Sequence, residues 1–324
     1  MRGCAIGNGI MKNKKILIIG GTGALGKTLT RRYYKNNDIL VLSRDEHKHV
    51  NLQKVWPTVK YRLGDVKDQT SIVNAIDYYK PEIIINTAAI KHVPICEVNP
   101  YESVQVNIIG HQNVLNAIGV ARHQIDTLIF VSTDKACKPI NVYGMSKAIS
   151  EKLYQHFAKT HDDIKTVLVR YGNVLESTGS VIPLFKEILE EGNRLLPITD
   201  YDMTRFLLTL DQAAELIEWA YKHPESHGKI AIPKIKALKV LDIANALLKH
   251  YERGSTWEVG IRPGEKLHEE MISAEEWMRT EDYGENFMIG DEIIRTEQKS
   301  YNSHDSLMDW DQSYEFLKQS GVLR

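Results

Sequence analysis

Continuous apolar runs and amphipathic stretches alternate along the first half of the chain. Residues 16–19, 39–42, 83–86 and 127–131 are short and almost wholly apolar. Runs of this kind bury both faces, which predicts central strands of a parallel sheet with helices on either side. Residues 61–63 and 165–170 predict two more strands. Between them, residues 27–34, 71–79 and 104–121 repeat apolar positions at the helical period, and another helix is predicted to start at Tyr143. Pro81 restarts the chain before the run at 83–86. A helix after nearly every strand, with no Pro/Gly/Ser-rich linker, predicts an α/β fold with a doubly wound parallel sheet of Rossmann type.

Past residue 172 the period is less regular. Short strands near 195–198, 229–232 and 256–259 alternate with helices from 181 and near 211–221 and 238–250. The expectation is a nucleotide-binding domain at 14–172 and a smaller C-terminal α/β substrate lobe at 173–324, with the chain able to cross back. Residues 1–13 are expected as a tail outside the fold, and Met11 directly before Lys12-Asn13-Lys14-Lys15 reads as a second start. Ser177, Gly179 and Ser180 read as a loop.

Composition narrows the class. A chain of 324 residues can bury a large core, and 43% hydrophobic with 26% charged residues is an ordinary globular balance. Lys and Arg number 41 against 42 Asp and Glu, a net charge of −1, so there is no basic field for nucleic acid. Cys4, Cys96 and Cys137 make no disulfide framework and fit a reducing compartment, which points to the cytoplasm. No apolar run approaches the roughly 18 residues of a membrane span, and the N-terminal stretch lacks the apolar core of a signal peptide.

The strand at 16–19 runs into Gly20-Gly21-Thr22-Gly23-Ala24-Leu25-Gly26 and then a helix. Glycine permits the tight turn and close backbone approach, and the helix N-terminus offers free N–H groups to a diphosphate. Gly20, Thr22, Gly23, Ala24 and Leu25 are therefore expected to bind a dinucleotide. An NAD site usually ends the second strand in Asp or Glu for the ribose 2′-hydroxyl. Here Ser43 and Arg44 stand there with Lys48 close behind, and a guanidinium suits a 2′-phosphate. NADP is expected ahead of NAD. His47 and His49 read as surface residues of a solvated basic loop, and no metal site is expected. Asp65 and Val66 end a strand near the adenine position, Ala88 and Ala89 let a cofactor pass closely, and Lys91 lies in the loop beyond. Asn107 is polar on an otherwise apolar helix and must find partners, as a cofactor contact or as a tie to the catalytic strand.

Thr133, Asp134 and Lys135 follow the strand at 127–131, where open α/β sheets place ligands. Tyr143 and Lys147 are four apart and share a helix face. An ammonium beside a phenol favours the phenolate, so the Tyr143 pKa is expected to fall and Tyr143 to take a proton from a sugar hydroxyl. Thr133 is placed to hold the same oxygen. Asp134 and Lys135 add an acid and a base that alcohol oxidation alone does not need. Arg205 and Arg262 are plausible clamps for a diphosphate. Cys137 reads as a packing residue.

The motifs GGTGALG, SRDE, GDV, AAIKHVP, VNIIG, STDKACKPINVYGMSKAISEK, RYGNV, GSVIPLF, ITDYDMTRF and RPGEKLHEEMI follow in this order. From about Lys14 the chain resembles the extended short-chain dehydrogenase/reductases. Within them it resembles the soluble UDP-N-acetylglucosamine 4,6-dehydratases of pseudaminic acid (flagellin-glycan) and capsule pathways. The Thr-Asp-Lys triplet separates this group from glucose-type dehydratases, which carry Asp-Glu. The resemblance implies that NADP⁺ takes hydride from sugar C4 while Tyr143, poised by Lys147, removes the 4-hydroxyl proton. It implies Thr133 on the 4-oxygen, Lys135 as base at C5 and Asp134 as acid for the leaving 6-hydroxyl, with hydride returned to C6. It implies that Lys91, Asn173, Arg205, Arg262 and Glu265 bind UDP-GlcNAc, and that the protein is a homo-oligomer, dimer or hexamer. Two other readings stand beside it. A UDP-sugar 4- or 5-epimerase shares Tyr and Lys but has no use for Asp134-Lys135. A non-catalytic NADP-binding sensor has no use for an intact Thr133, Tyr143 and Lys147. Inversion or retention at C5 is left open by side-chain identity.

Overall fold

The computed structural model describes residues 11–175 and 180–323. Of the tail expected over 1–13, residues 1–10 lie outside the described residues, as do loop residues Ser177 and Gly179. Met11 belongs to the fold, buried at 1% exposure with its O accepting from Asn37 Nδ2 (2.9 Å), and Asn13 N–H donates to Asn36 O (2.8 Å). The first half is a βα series: β1 (Lys15–Ile19), α1 (Ala24–Tyr33), β2 (Asp38–Ser43), α2 (Glu46–Val55), β3 (Lys60–Leu63), α3 (Gln69–Tyr79) and β4 (Ile83–Asn86). Then come α4 (Val93–Val98), α5 (Pro100–Val104), a π-helical turn (Gln105–Ile109), α6 (Gly110–Gly119), β5 (Thr127–Val131), a 3₁₀ turn (Asp134–Ala136), α7 (Val142–Thr160) and β6 (Lys165–Val169). The stretch read as a solvated basic loop is α2. Asp45 caps it by accepting from Lys48 N–H, and this local bond starts the helix despite its polar sequence. The single helix expected over 104–121 is interrupted by the π turn that carries Asn107.

The second half supplies β7 (Asn173–Val174), α8 (Val181–Glu190), β8 (Leu195–Ile198), β9 (Thr204–Leu208), α9 (Leu210–Lys222), β10 (Ile230–Pro233), β11 (Ala237–Lys239), α10 (Val240–His250) and β12 (Ser255–Glu258). It ends with β13 (Glu270–Ile272), α11 (Ala274–Trp277), β14 (Thr280–Asp282), β15 (Asn286–Ile289), β16 (Tyr301–Asn302) and α12 (Trp310–Gln319). Among the described residues the main sheet has nine strands in the order β14-β15-β10-β6-β5-β4-β1-β2-β3. It is parallel from β3 to β10, and β15 and β14 add an antiparallel edge. Strand order reverses between β1 and β4, and that switch point opens a crevice at the carboxyl ends. The strand expected near 229–232 therefore belongs to the main sheet, not to the lobe. A cut at residue 172 does not separate two sheets, because 230–233 and 280–289 return to the first.

Alternation in β1 shows why continuous apolar runs were needed. Leu17 and Ile19 face a core with α3 and α6, while Ile16 and Ile18 face a second core with α1 and α9. A third cluster, with Phe185, Leu196, Ile243 and Leu317, fills the C-terminal lobe.

One buried cation ties these parts together. Arg170, 1% exposed, pairs with both oxygens of Glu151 on α7 (2.9 and 2.6 Å) and of Glu276 on α11 (2.9 and 2.8 Å). It also donates to Met271 O (2.8 Å), and Ser132 at the exit of β5 donates to Glu151 (2.6 Å). Burial opposes ionisation of Glu276, but Arg170 outweighs it and holds the carboxyl at about 2. Arg170→Ala should thus leave two facing buried carboxylates and cost about 3–5 kcal/mol, read as a lower urea midpoint. The depressed carboxyl contributes stability above its ordinary value of 4.5 that is lost as pH falls to about 2. That acid-dependent loss should be blunted in Arg170→Ala.

Candidate active site

A cavity of about 1090 Å³ runs along the carboxyl edge of the sheet between the two lobes. At one end the glycine turn forms its floor. Gly20 has φ +78°, and a Cβ there would sit 2.7 Å from Ala88 N, so the turn and the β4 exit can meet only without a side chain. The first turn of α1 has no side-chain cap and no acidic residue, which leaves its N–H groups facing the cavity floor without an internal partner. Thr22, Gly23, Ala24 and Leu25 line this part, with Ala88 and Ala89 opposite.

At the end of β2, Ser43, Arg44 and Lys48 line the same cavity, as do Asp65 and Val66. The Arg44 guanidinium lies 3.6 Å from Asp65. Asp45 is committed to Lys48, through the cap and a 2.8 Å ion pair. His49 is not a surface residue. It is 7% exposed and its Nε2 lies 2.6 Å from Ser43 Oγ. The pattern that placed His49 was the helical turn of α2, invisible while that segment was read as loop. These residues fit a dinucleotide.

Past β5 the chain keeps pairing with the β6 exit, through Ser132 N–H to Val169 O (2.7 Å) and Asp134 N–H to Tyr171 O (2.9 Å). The 3₁₀ turn that follows is packed under α7. A Cβ on Gly144 would fall 2.2 Å from Lys135 O, so glycine next to Tyr143 is required for this approach. Thr133, Lys135, Tyr143 and Lys147 all line the cavity. Asp134 does not. It is fully buried beneath them, with Oδ1 accepting from Thr133 Oγ1 (2.9 Å) and Lys135 Nζ (3.1 Å) and Oδ2 without a partner.

Asn107 does not line the cavity either. Its Oδ1 accepts from Ile90 N–H (2.9 Å) and its Nδ2 donates to Ile90 O (2.9 Å) and Ser146 Oγ (3.0 Å), so it ties the π turn to the β4 loop and α7. The expected cofactor contact gives way to the tie because its hydrogen bonds are already made.

Electrostatics overturn one expectation and qualify another. Burial pushes the Tyr143 phenol up to about 12, against the opposing pull of Lys135 and the Thr133 hydroxyl. The pKa does not fall, because desolvating a phenolate outweighs a neighbouring charge. Lys147 is not that charge. Its Nζ donates to Val131 O (2.7 Å) and sits 4.0 Å over the Phe130 ring, and burial lowers its pKa to about 7. Lys135 is the ammonium of the site. Burial lowers its pKa, but Asp134 and Glu269 more than reverse this and raise it. Burial raises the Asp134 carboxyl, as an acid requires.

The remaining expected contacts also line the cavity: Lys91, Asn173, Arg205, Arg262 and Glu265. Asn173 Oδ1 accepts from Lys135 Nζ (3.0 Å). Arg205 is anchored to Thr204 O and Leu267 O (2.7 and 3.1 Å), while Lys91 and Arg262 are exposed. The sequence reading missed Glu269, a buried cavity-lining carboxylate 3.2 Å from Lys135 Nζ. It sits four residues past Glu265 in the same motif, and only its burial sets it apart.

Residues 16–291 match the family described as polysaccharide biosynthesis protein. A UDP-N-acetylglucosamine 4,6-dehydratase (inverting) of Campylobacter jejuni is 40% identical over 291 residues, 87% of this chain and 85% of the relative. A UDP-glucose 4-epimerase of Rickettsia bellii is 37% identical over 291 residues, 86% of this chain and 83% of the relative. Among solved structures, Pen from Bacillus thuringiensis is similar with a TM-score of 0.88 and 29% identity, over 97% of this chain and 99% of that one. DesIV, a dTDP-glucose 4,6-dehydratase from Streptomyces venezuelae solved with NAD, shares the fold with a TM-score of 0.70 at 20% identity, over 78% and 86% of the two chains.

With Lys147 held at about 7 against its ordinary 10.5, the unfolded chain binds a proton that the folded one lacks between these values. Stability should therefore rise with pH across that window. Lys147→Met should remove the rise, on the order of a few kcal/mol, in paired urea titrations at pH 7 and above.

Proposed function

We propose that this chain, which belongs to the polysaccharide biosynthesis protein family, is a UDP-N-acetylglucosamine 4,6-dehydratase, a lyase with no net redox change. The observation that carries the reading is the cluster of Thr133, Lys135 and Tyr143 on one cavity wall with Asp134 directly beneath. An oxidation or epimerisation at C4 needs a phenol and a hydride acceptor. An acid and a base beside them suit removal of the C5 proton together with protonation of the leaving 6-oxygen. The 40% identity to a dehydratase supports the same choice over the epimerase reading, and the intact Tyr143 and Lys147 weigh against a mere sensor.

Gly20, Thr22, Gly23, Ala24 and Leu25 would hold the cofactor diphosphate, with Ala88 and Ala89 along its path. Ser43, Arg44 and Lys48 would take the 2′-phosphate of NADP, which we prefer to NAD because Asp45 is occupied in capping α2. When bound there, a nicotinamide cofactor would supply the hydride acceptor for C4 and the hydride donor for C6. Tyr143 takes the 4-hydroxyl proton, with Thr133 sharing that oxygen. Lys147 holds Val131 O and so fixes the exit of β5 beneath the ring. Lys135 takes the C5 proton made acidic by the 4-ketone. To do so it must first be neutral, and Asp134, 3.1 Å away, is the acceptor for its proton. Burial disfavours both charged forms, which lowers the cost of this transfer relative to water. Asp134 then supplies the proton for the leaving 6-oxygen, through Thr133 or Lys135, since it does not itself reach the wall. Asn173, Arg205, Arg262, Glu265 and Lys91 would bind the UDP-sugar.

The product would be a UDP-4-keto-6-deoxy-HexNAc. C5 inversion is proposed from the name of the Campylobacter relative. We place the product in pseudaminic acid, flagellin-glycan or capsule sugar synthesis, and the enzyme in the cytoplasm. Among the described residues no helix is long and apolar enough to cross a membrane. A homo-oligomer, dimer or hexamer, is supported by exposed apolar side chains on α4, α5 and α7, among them Val98 and Tyr101.

The test is incubation with NADP⁺ and UDP-GlcNAc in deuterated water, with C5 configuration and deuterium read by NMR. Loss of water with deuterium at C5 is expected, whereas UDP-GalNAc without dehydration would make the protein an epimerase. Asp134→Asn with Lys135→Ala should keep UDP-GlcNAc binding and abolish dehydration, and wild-type turnover in that variant would remove both roles. Tyr143→Phe should lower kcat by about 10²–10⁴. Arg44→Ala should weaken NADP⁺ far more than NAD⁺, and equal effects would reverse the cofactor preference.

A further inference from the structure

Glu269 is a buried carboxylate on the substrate wall that no step above uses. It is 2% exposed and lies just before β13. Its main chain is fixed on both sides: Glu269 N–H donates to Ser303 Oγ (2.8 Å) and Ser303 N–H donates to Glu269 O (2.8 Å). Its Oε1 lies 3.2 Å from Lys135 Nζ and 3.9 Å from Arg205 Nε. Its Oε2 makes no hydrogen bond and lies 4.0 Å from Lys266 Nζ.

Lys135 Nζ has three close acceptors: Asp134 Oδ1 (3.1 Å), Asn173 Oδ1 (3.0 Å) and Glu269 Oε1 (3.2 Å). An ammonium has three N–H donors and no lone pair. Held in this way, Lys135 cannot accept the C5 proton until one N–H is given up. The two carboxylates play different parts. Asp134 sits beneath the turn and belongs to it, adjacent in sequence. Glu269 comes from the C-terminal segment, 134 positions further on, and lines the cavity. The ammonium is thus braced from both lobes.

We propose that Glu269 is a positioning residue that fixes the Lys135 amine against the sugar site and sets the pH at which Lys135 becomes a base. The groups that face this pair are Asp134 from the 3₁₀ turn, Tyr143 from α7, Arg205 from β9 and Lys266 from the loop of Glu269 itself. Asp134 and Glu269 favour the ammonium. Arg205 oppositely favours the free amine, and with Lys266 it keeps Glu269 ionised. Without the Glu269 charge, Asp134 alone remains against these cations, and the Lys135–Asp134 pair reaches its singly protonated, working state at lower pH.

The kinetic arm of the test rests on the dehydratase reading; the labelling arm does not. In Glu269→Gln the shape is kept and the charge removed. The acid limb of kcat for UDP-GlcNAc should move to lower pH by about 1–3 units, the range for one close charge. Independently, trace acetic anhydride labelling of the NADP⁺-loaded protein, with the Lys135 peptide read by mass spectrometry, should run at least about tenfold faster at fixed pH in the Gln variant. NADP⁺ binding by fluorescence quenching confirms that the variant is folded. Should Gln not be tolerated, Glu269→Asp keeps the charge and shortens the reach, so it should lower kcat while leaving the acid limb in place. A purely structural role would lower activity or stability at every pH and leave limb and labelling rate unmoved, which overturns the inference. If the wild type does not dehydrate UDP-GlcNAc yet labelling responds as expected, the function reading falls and this one stands. If the wild type dehydrates and Lys135 labels alike in wild type and Gln variant, this inference alone falls.

Discussion

A buried guanidinium sets the geometry on which the site depends. Arg170 leaves β6 and is clasped by Glu151 on α7 and Glu276 on α11, while Ser132 at the exit of β5 bonds the same Glu151. The exit of β5, helix α7 and the segment returning from the second lobe are thereby fixed to one point. Such a cluster is a poor way to gain stability, since desolvating three ions offsets most of their attraction. Its value lies in geometry: bidentate pairs tolerate little rotation or sliding. Glu151 also lies one turn beyond Lys147, and with Arg170 to satisfy it, it only partly offsets the burial that holds Lys147 at about 7.

From that fixed point the cavity follows. The return of 230–233 and 280–289 to the main sheet brings the segment before β13 over the carboxyl edge, and with it Glu269. The end at the glycine turn is built locally, from that turn and the exits of β2, β3 and β4. The other end is built from both lobes: Thr133, Lys135 and Tyr143 from the sheet side meet Asn173, Arg205 and Glu269 from the other. This division suits a reaction in which hydride chemistry is general and proton placement is specific. The first needs a nicotinamide beside a phenol. The second needs acids and bases set to the spacing of C5 and C6.

The charge states of the site come from burial acting against neighbours. A phenol and a lysine at a four-residue spacing promise a lowered phenol pKa, and the protein by itself gives the reverse, because both groups are dry and the lysine is turned to Val131 O and the Phe130 ring. Lys135 and Asp134 show the opposite balance. Each carries burial, yet the amine is pulled up by two carboxylates and the acid is pushed up by desolvation. A proton can then pass between them with little change in net charge, which is the condition for acid and base work in a closed site.

The sequence alone determined whatever rests on neighbours in the chain. Apolar runs buried on both faces dictate the parallel sheet, glycines at fixed spacing dictate the turn at Gly20, and Tyr143 with Lys147 must share a helix face. The tertiary structure decided what depends on distant residues. It put Asp134 beneath the wall, committed Asn107 to Ile90 and Ser146, buried His49 behind Ser43, and returned three strands of the second half, β10, β14 and β15, to the first sheet. It also brought Glu269 to Lys135. Desolvation sums over every atom packed around a group, and strand pairing depends on partners far away in sequence, so neither is written in a local pattern.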